Sequence, residues 1–300
     1  VMIPTLSGLL EPFTLGFVQR ALIGGALVAV LCGVVGTWVV IRGMAFLGEA
    51  LAHGMLPGVA LATVLGVPVL VGGALSATAM SLGVAALQRR GRLSYDTSIG
   101  MLFVSMLALG VIIISHSGSF ATDATSILFG DILAIAPLDI ALLAAAATLG
   151  LAVAAAFHRP LVALALDLRI AAVLGLGPRS AQAALVALVT LAVVASYQAV
   201  GSLLVVGLLL APAVGAGYWT TRIPTRMLLA AVLGVLAVFI GLLISWHAAT
   251  AAGASVAATA IAISGVSWAI HACVTALRSR PAHPTDIERP TCIPASRSTH

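Results

Sequence analysis

Residues 22–41 read LIGGALVAVLCGVVGTWVVI, an apolar run without a charged side chain. A helix of about 20 such residues crosses the hydrocarbon core of a membrane. The rest of the chain has the same character, because 61% of its 300 residues are hydrophobic and only 8% are charged. A soluble domain carries about 25% charged residues. The sequence therefore predicts a polytopic membrane protein.

Further apolar runs of spanning length follow this first one along the chain. The run at 181–218 is too long for one helix, so we expect it to contain two helices, or one helix and a re-entrant segment. The fold class predicted is an all-α, polytopic membrane helix bundle with eight or nine transmembrane helices. The other predicted spans are 44–66, 69–87, 99–115, 139–157, 228–246 and 256–277.

The two ends of the chain differ from this apolar body. Residues 1–20 include Glu11 and two prolines and lack the pattern of a cleavable signal peptide, which favours an interfacial lead-in. Residues 21–278 form the predicted transmembrane domain. Residues 279–300 are polar and rich in Pro, Ser and Thr, which predicts a disordered tail.

The basic residues indicate how the bundle is oriented. All 14 are arginines, and no arginine cluster is interleaved with aromatic residues as in a nucleic-acid-binding surface. Arg20 and Arg42 flank the first span, so the side of the N-terminus stays open. Because arginine is enriched in cytoplasmic loops, the C-terminus and five clusters are predicted to be cytoplasmic, at 89–92, 158–159, 169–179, 222–226 and 278–280.

The second predicted span contains a carboxylate and an imidazole, Glu49 and His53. Residues four apart lie on one face of a helix, one turn from each other. Ionisable groups at membrane depth are costly and therefore indicate function, and this pair suits a divalent transition metal. Pro57 removes a backbone hydrogen bond just beyond His53 and predicts a kink.

Asp123 is the predicted third ligand. It lies in a polar segment on the external side of the fourth span, and this segment would have to dip into the bundle to reach Glu49 and His53. A set of nitrogen and oxygen ligands of this kind suits Zn²⁺ or Mn²⁺. Because a transport site must also release its ion, we expect it to bind the ion only weakly. Three further candidates lie near outer span ends, where interfacial residues are also common: His116, Asp131 and His247.

Motifs for hydrolysis do not occur in the 300 residues. There is no GxxxxGK[ST] phosphate loop and no HExxH metalloprotease motif. The chain is therefore predicted to be a transport subunit and not an enzyme. If ATP drives the transport, a separate subunit must hydrolyse it.

An ordered set of motifs along residues 13–277 resembles the zinc/manganese permease family of ATP-binding-cassette importers. The run FLGEALAHGMLPGVAL at 46–61 is similar to the family signature, which usually has Asp in place of Glu49. The segments DTSIG at 96–100, LFGDIL at 128–133 and the Gly- and Pro-containing run at 201–213 resemble later family motifs in the same order.

The resemblance implies a homodimeric permease in the cytoplasmic (inner) membrane, surrounded by lipid. It implies cytoplasmic ATPase subunits and an extracytoplasmic metal-binding protein as partners, with no nucleic acid. Transported Zn²⁺ or Mn²⁺ would be the only metal, with no permanently bound cofactor. It also implies a cytoplasmic coupling helix that contacts the ATPase, and the candidate residues in the matching segment are Asp167, Arg169, Gly175 and Gly177.

Two alternatives stay open from the sequence. A permease for metal chelates of the siderophore or cobalamin type would need a wider and more neutral cavity. A proton-coupled secondary metal transporter would use Glu49 and His53 as a proton relay and would show inverted repeats, which we do not find in this sequence. An intramembrane enzyme would need a nucleophile and a base, and no such constellation supports it in this sequence. The choice among zinc, manganese and iron is also open.

Overall fold

The structure, a computed structural model, describes residues 11–89, 94–116, 130–166 and 177–278. Within these ranges the chain is helical, and two short 3₁₀ helices precede α1 and α6. Nine helical segments of the described ranges are long and apolar enough to span a membrane, which confirms the all-α bundle. The helices are α1 (Gly16–Ile41), α2 (Ala45–Gly54), α3 (Leu56–Leu65), α4 (Val69–Arg89), α5 (Tyr95–His116), α6 (Pro137–Ala156), α7 (His158–Leu166), α8 (Pro178–Gly217), α9 (Ile223–Ala248) and α10 (Ala252–Arg278).

Two spans depart from a single regular helix. Helices α2 and α3 together form one span, and α8 contains two. Gly201 divides α8 with φ 73° and ψ 167°, a conformation that is essentially restricted to glycine. Gly130 packs against this break, where a side chain would overlap the backbone of Val200 and Gly201. The prediction of two helices within 181–218 is therefore confirmed.

Several helices begin before the apolar runs that predicted them. Helix α1 begins at Gly16 instead of residue 22, and α9 begins at Ile223 instead of residue 228. Each added turn carries an arginine, Arg20 in α1 and Arg226 in α9. A membrane helix can continue past the hydrocarbon core because long basic side chains extend toward the headgroups. Hydropathy alone therefore predicts the apolar core of a span and misses its ends.

Helix α1 forms the centre of the bundle and packs against α6, α8 and α9. In its most apolar stretch 72% of the residues are buried, against 17% in α5 and in α10. Trp38 and Leu31 are among the largest fully buried side chains. The close packing depends on glycine, since a side chain on Gly36 would overlap the carbonyl oxygen of Leu209 in α8. Because only 17% of their most apolar stretches is buried, helices α5 and α10 lie at the periphery of the bundle.

Contacts at the two ends of α1 order the bundle along its axis. At the carboxyl end, Arg42 Nη1 donates to the carbonyl oxygen of Leu164 in α7 at 2.6 Å. At the amino end, the rings of Phe17 and Trp246 are 6.4 Å apart. Arg20 and Arg42 therefore lie at opposite ends, and we call the end with Arg42 and α7 the basic end. Residues 1–10 and 279–300 lie outside the described residues, so the predicted lead-in and tail stay predictions.

Candidate metal-binding site

Helix α2 presents one polar face and one apolar face. Leu47 and Leu51 are fully buried on the side that packs into the bundle. Glu49 and His53 lie on the other side, where their side chains are 41% and 21% exposed. Phe46, which is 41% exposed, continues this face toward the start of the helix. The spacing of three and four residues places these side chains in one stripe.

The two polar side chains of this stripe are in direct contact. Glu49 Oε1 lies 2.9 Å from His53 Nε2. Two ligands that bind one ion at about 2.1 Å and at roughly 90–110° stand about 3.0–3.4 Å apart. The observed separation is therefore close to that of two ligands of a single ion. A divalent cation that binds both atoms would take the place of the proton in this hydrogen bond, with the two side chains turned toward the ion.

An aromatic ring from α5 packs against this pair. The ring centroid of Phe103 is 5.8 Å from that of His53 and 5.6 Å from that of Phe46, in both cases edge to face. Such arrangements are favourable for aromatic pairs. Phe103 therefore restricts the orientation of the imidazole and covers one side of it with an apolar surface.

We expect Phe103→Ala to raise the half-saturation concentration for metal uptake between about two- and tenfold, the factor that corresponds to one lost aromatic contact. The imidazole would sample other rotamers and bind the ion less often. Uptake measured against metal concentration in proteoliposomes tests this, with Phe103→Tyr as the control that keeps the ring. An unchanged half-saturation concentration in the alanine variant would show that Phe103 does not orient His53.

The helix break that Pro57 predicts lies beside the pair. Helix α2 ends at Gly54 and α3 begins at Leu56, and Pro57 has no N–H to donate to the carbonyl oxygen of His53. A hydrogen bond from helix α4 stabilises the backbone at this break, because Ser76 Oγ donates to the carbonyl oxygen of Gly54 at 2.7 Å. The packing of α4 therefore supports the end of α2 that carries His53.

The other predicted ligands are not gathered at this pair. Asp123 lies outside the described residues, and the side chain of His116 is not described. Asp131 is exposed, and its Oδ1 accepts a hydrogen bond from the Leu133 N–H at 3.2 Å. His247 is exposed, and its Nδ1 is 2.9 Å from the carbonyl oxygen of Leu243. Among the described side chains, no group of three or more His, Cys, Asp and Glu forms a metal cluster.

The predicted coupling segment is described only at its end. Asp167, Arg169 and Gly175 lie outside the described residues. Gly177 precedes α8 with a φ of 57°, and its carbonyl oxygen accepts a hydrogen bond from Ser180 Oγ at 2.7 Å. This left-handed residue ends the segment and sets the direction of α8. Its proposed contact with an ATPase stays a prediction.

Comparison with known proteins adds to this geometry. Residues 14–270 match the model of the ABC 3 transport family. The manganese transport system membrane protein MntC of Listeria innocua is 34% identical over 253 residues, which are 84% of this chain and 90% of that protein. The manganese import system permease protein ScaB of Streptococcus gordonii is 35% identical over 254 residues, 85% of this chain and 91% of that protein.

A solved structure has the same fold. It is titled PsaBC from Streptococcus pneumoniae in complex with Fab, and its matching chain superposes on this one with a TM-score of 0.78 at 30% sequence identity. The superposition covers 88% of this chain and 95% of that chain. The range matched by the family model includes Glu49, His53 and Phe103.

Proposed function

Because the chain belongs to the ABC 3 transport family, we propose that it is the membrane-spanning permease subunit of an ATP-binding-cassette importer. Its cargo is a divalent transition-metal ion that it carries into the cytoplasm. The observation that carries this proposal is the 2.9 Å contact between Glu49 Oε1 and His53 Nε2 on a membrane-spanning helix. A carboxylate and an imidazole at ligand spacing suit such an ion and suit few other cargoes.

Manganese is the proposed cargo, with zinc next. Two relatives of at least 34% identity are named as manganese transport proteins. A carboxylate and an imidazole bind both ions, and further oxygen ligands would favour Mn²⁺ over Zn²⁺. Asp123 remains the proposed third ligand because it would supply such an oxygen. The ion is the substrate of the protein and not a resident cofactor.

The exposure of the pair supports a homodimer. The side chain of Glu49 is 41% exposed in a single chain, and so is Phe46 beside it. A carboxylate at membrane depth is costly against lipid, so this stripe faces either another protein surface or a water-filled cavity. A second copy of the chain is the proposed cover, in line with the expected permease dimer.

The arginines support the proposed orientation. Arg42 and α7 share the basic end, and short loops rich in arginine favour the cytoplasm. We therefore place the basic end, the predicted coupling segment at 167–177 and the C-terminal tail in the cytoplasm. Separate ATPase subunits would bind there, and an extracytoplasmic binding protein would deliver the metal at the opposite end.

The proposal is tested by reconstituting the chain in proteoliposomes with its ATPase and binding-protein partners and measuring Mn²⁺ uptake. We expect uptake that requires ATP, persists when the proton gradient is collapsed, and is inhibited by Zn²⁺ less strongly than by unlabelled Mn²⁺. Proteoliposomes with a Walker-lysine variant of the ATPase are the control.

Three outcomes would contradict parts of this proposal. Uptake without ATP that stops when the proton gradient collapses would instead indicate a secondary transporter. Uptake of chelated metal alone would indicate a chelate permease. Uptake of Zn²⁺ or Fe²⁺ in preference to Mn²⁺ would overturn the metal assignment and leave the permease assignment intact.

A further inference from the structure

Helix α7 is attached to the end of α1 at two points. Near its start, the ring of His158 lies 5.7 Å from that of Trp38, with the planes at 65°. Near its other end, Arg42 Nη1 donates to the carbonyl oxygen of Leu164 at 2.6 Å. Trp38 and Arg42 are four residues apart and therefore lie on one face of α1. One turn of α1 thus holds both ends of α7.

The bond from Arg42 is the stronger of the two attachments. A hydrogen bond from a guanidinium is charge-assisted and stronger than one between neutral groups. Leu164 O lies near the carboxyl end of α7, where the helix dipole favours a positive charge. The bond joins residues 122 positions apart and is partly buried, so water competes for it only weakly. Trp38 and Leu164 are fully buried beside it.

The same arginine lies directly before the helix that carries the metal pair. Gly43 follows it with a φ of 65°, and the Met44 N–H donates to the carbonyl oxygen of Val39 at 2.9 Å. This tight turn leads into α2 at Ala45, and Glu49 lies one turn further on. One turn of chain and one turn of helix therefore separate Arg42 from Glu49.

We propose that Arg42 is a positioning residue that couples α7 to the metal-binding face of α2. The inference rests on the proposed function, because α7 immediately precedes the segment proposed for the ATPase contact. In this arrangement Arg42 transmits a movement of the cytoplasmic segment to Glu49 and His53. It touches neither the metal nor ATP.

The test measures the number of metal ions taken up per ATP hydrolysed by the reconstituted importer. We expect Arg42→Gln to assemble with the ATPase and hydrolyse ATP, but to move about tenfold less metal per ATP, a typical size for coupling between sites. Arg42→Lys keeps a charged donor and should recover most of the loss. His158→Ala removes the other attachment and should lower the ratio in the same direction.

Arg226→Gln is the matched control. Arg226 also donates from its guanidinium to a backbone carbonyl within the bundle, that of Ala213, at 3.2 and 3.3 Å. It joins α9 to α8, so its loss should leave the ratio unchanged. Trp38→Phe keeps an aromatic ring against His158 and serves as the mild variant at that contact.

Two results would overturn the inference. One is a wild-type ratio in Arg42→Gln, or in His158→Ala if Arg42→Gln does not assemble. The other is an equal fall of the ratio in Arg226→Gln, which would indicate a general loosening of the bundle. A failure of the proposed function is distinguishable from both, because the wild-type complex would then show no ATP-dependent metal uptake.

Discussion

Glu49→Gln and His53→Ala should each reduce metal uptake to the background of empty proteoliposomes. Glutamine keeps the size of Glu49 and removes the negative charge proposed to bind the divalent cation, and alanine removes the imidazole nitrogen altogether. Loss of a residue that only supports a metal ligand costs about 10- to 100-fold in affinity, so loss of a ligand should cost at least as much. Membrane insertion and ATPase binding should be unchanged.

Matched controls separate a metal site from a packing contact. Asp131→Asn and His247→Ala remove the same two chemical groups at exposed positions away from the pair, and both should retain uptake. Loss of uptake in either control would extend the ligand set to that residue. Glu49→Asp keeps the carboxylate at the length usual in the family and should retain uptake.

Direct binding adds a second measurement to this prediction. A metal that binds the folded protein raises its melting temperature with ion concentration. Mn²⁺ should stabilise the wild-type protein and fail to stabilise Glu49→Gln or His53→Ala. Wild-type uptake together with wild-type stabilisation in both variants would show that the pair does not bind the cargo.

Gly36→Ala should destabilise the bundle by about 3 kcal/mol or more, at the upper end of the range for overpacked cores. The added methyl group would overlap the carbonyl oxygen of Leu209, which belongs to a helix backbone and cannot rotate away. Helices α1 and α8 would have to separate, and α1 packs at the centre of the bundle. The melting temperature in detergent and the yield of folded protein measure the effect.

Gly100→Ala is the control for this substitution. Gly100 also lies within a membrane-spanning helix, but nothing comes within 4 Å of the position that its Cβ would take. Alanine should therefore stabilise the protein by up to about 1 kcal/mol through its higher helix propensity. Equal melting temperatures for the Gly36 and Gly100 variants would contradict the close approach of α1 and α8.

The sequence predicted much of the fold because a membrane span is a local property. Hydropathy summed over about 20 consecutive residues locates a span without knowledge of its neighbours. Only the number of spans was left open, at eight or nine, because the long run at 181–218 could hold either one span or two. The break is at Gly201, in a conformation open to glycine, but many glycines occur in the chain and no local signal distinguishes this one.

The candidate site also has a part that was predictable from the sequence and a part that was not. The pairing of Glu49 and His53 follows from a spacing of four residues on one helix, so it was predictable from the sequence. Phe103 was missed because it reaches the site from another helix. The bond between Arg42 and Leu164 was missed because it joins residues 122 positions apart. Such contacts depend on how each helix is rotated and where it crosses its neighbours.

The sequence by itself thus determined the membrane class, the approximate spans and the polar pair on α2, because each depends on residues that are neighbours along the chain or one helical turn apart. The tertiary structure decided which end of α1 meets α7, which ring packs on His53 and which face of α2 is left open. These are relations between distant helices, and close packing of small residues and buried side chains sets them. That packing makes Arg42 a link between α7 and the face that carries Glu49 and His53.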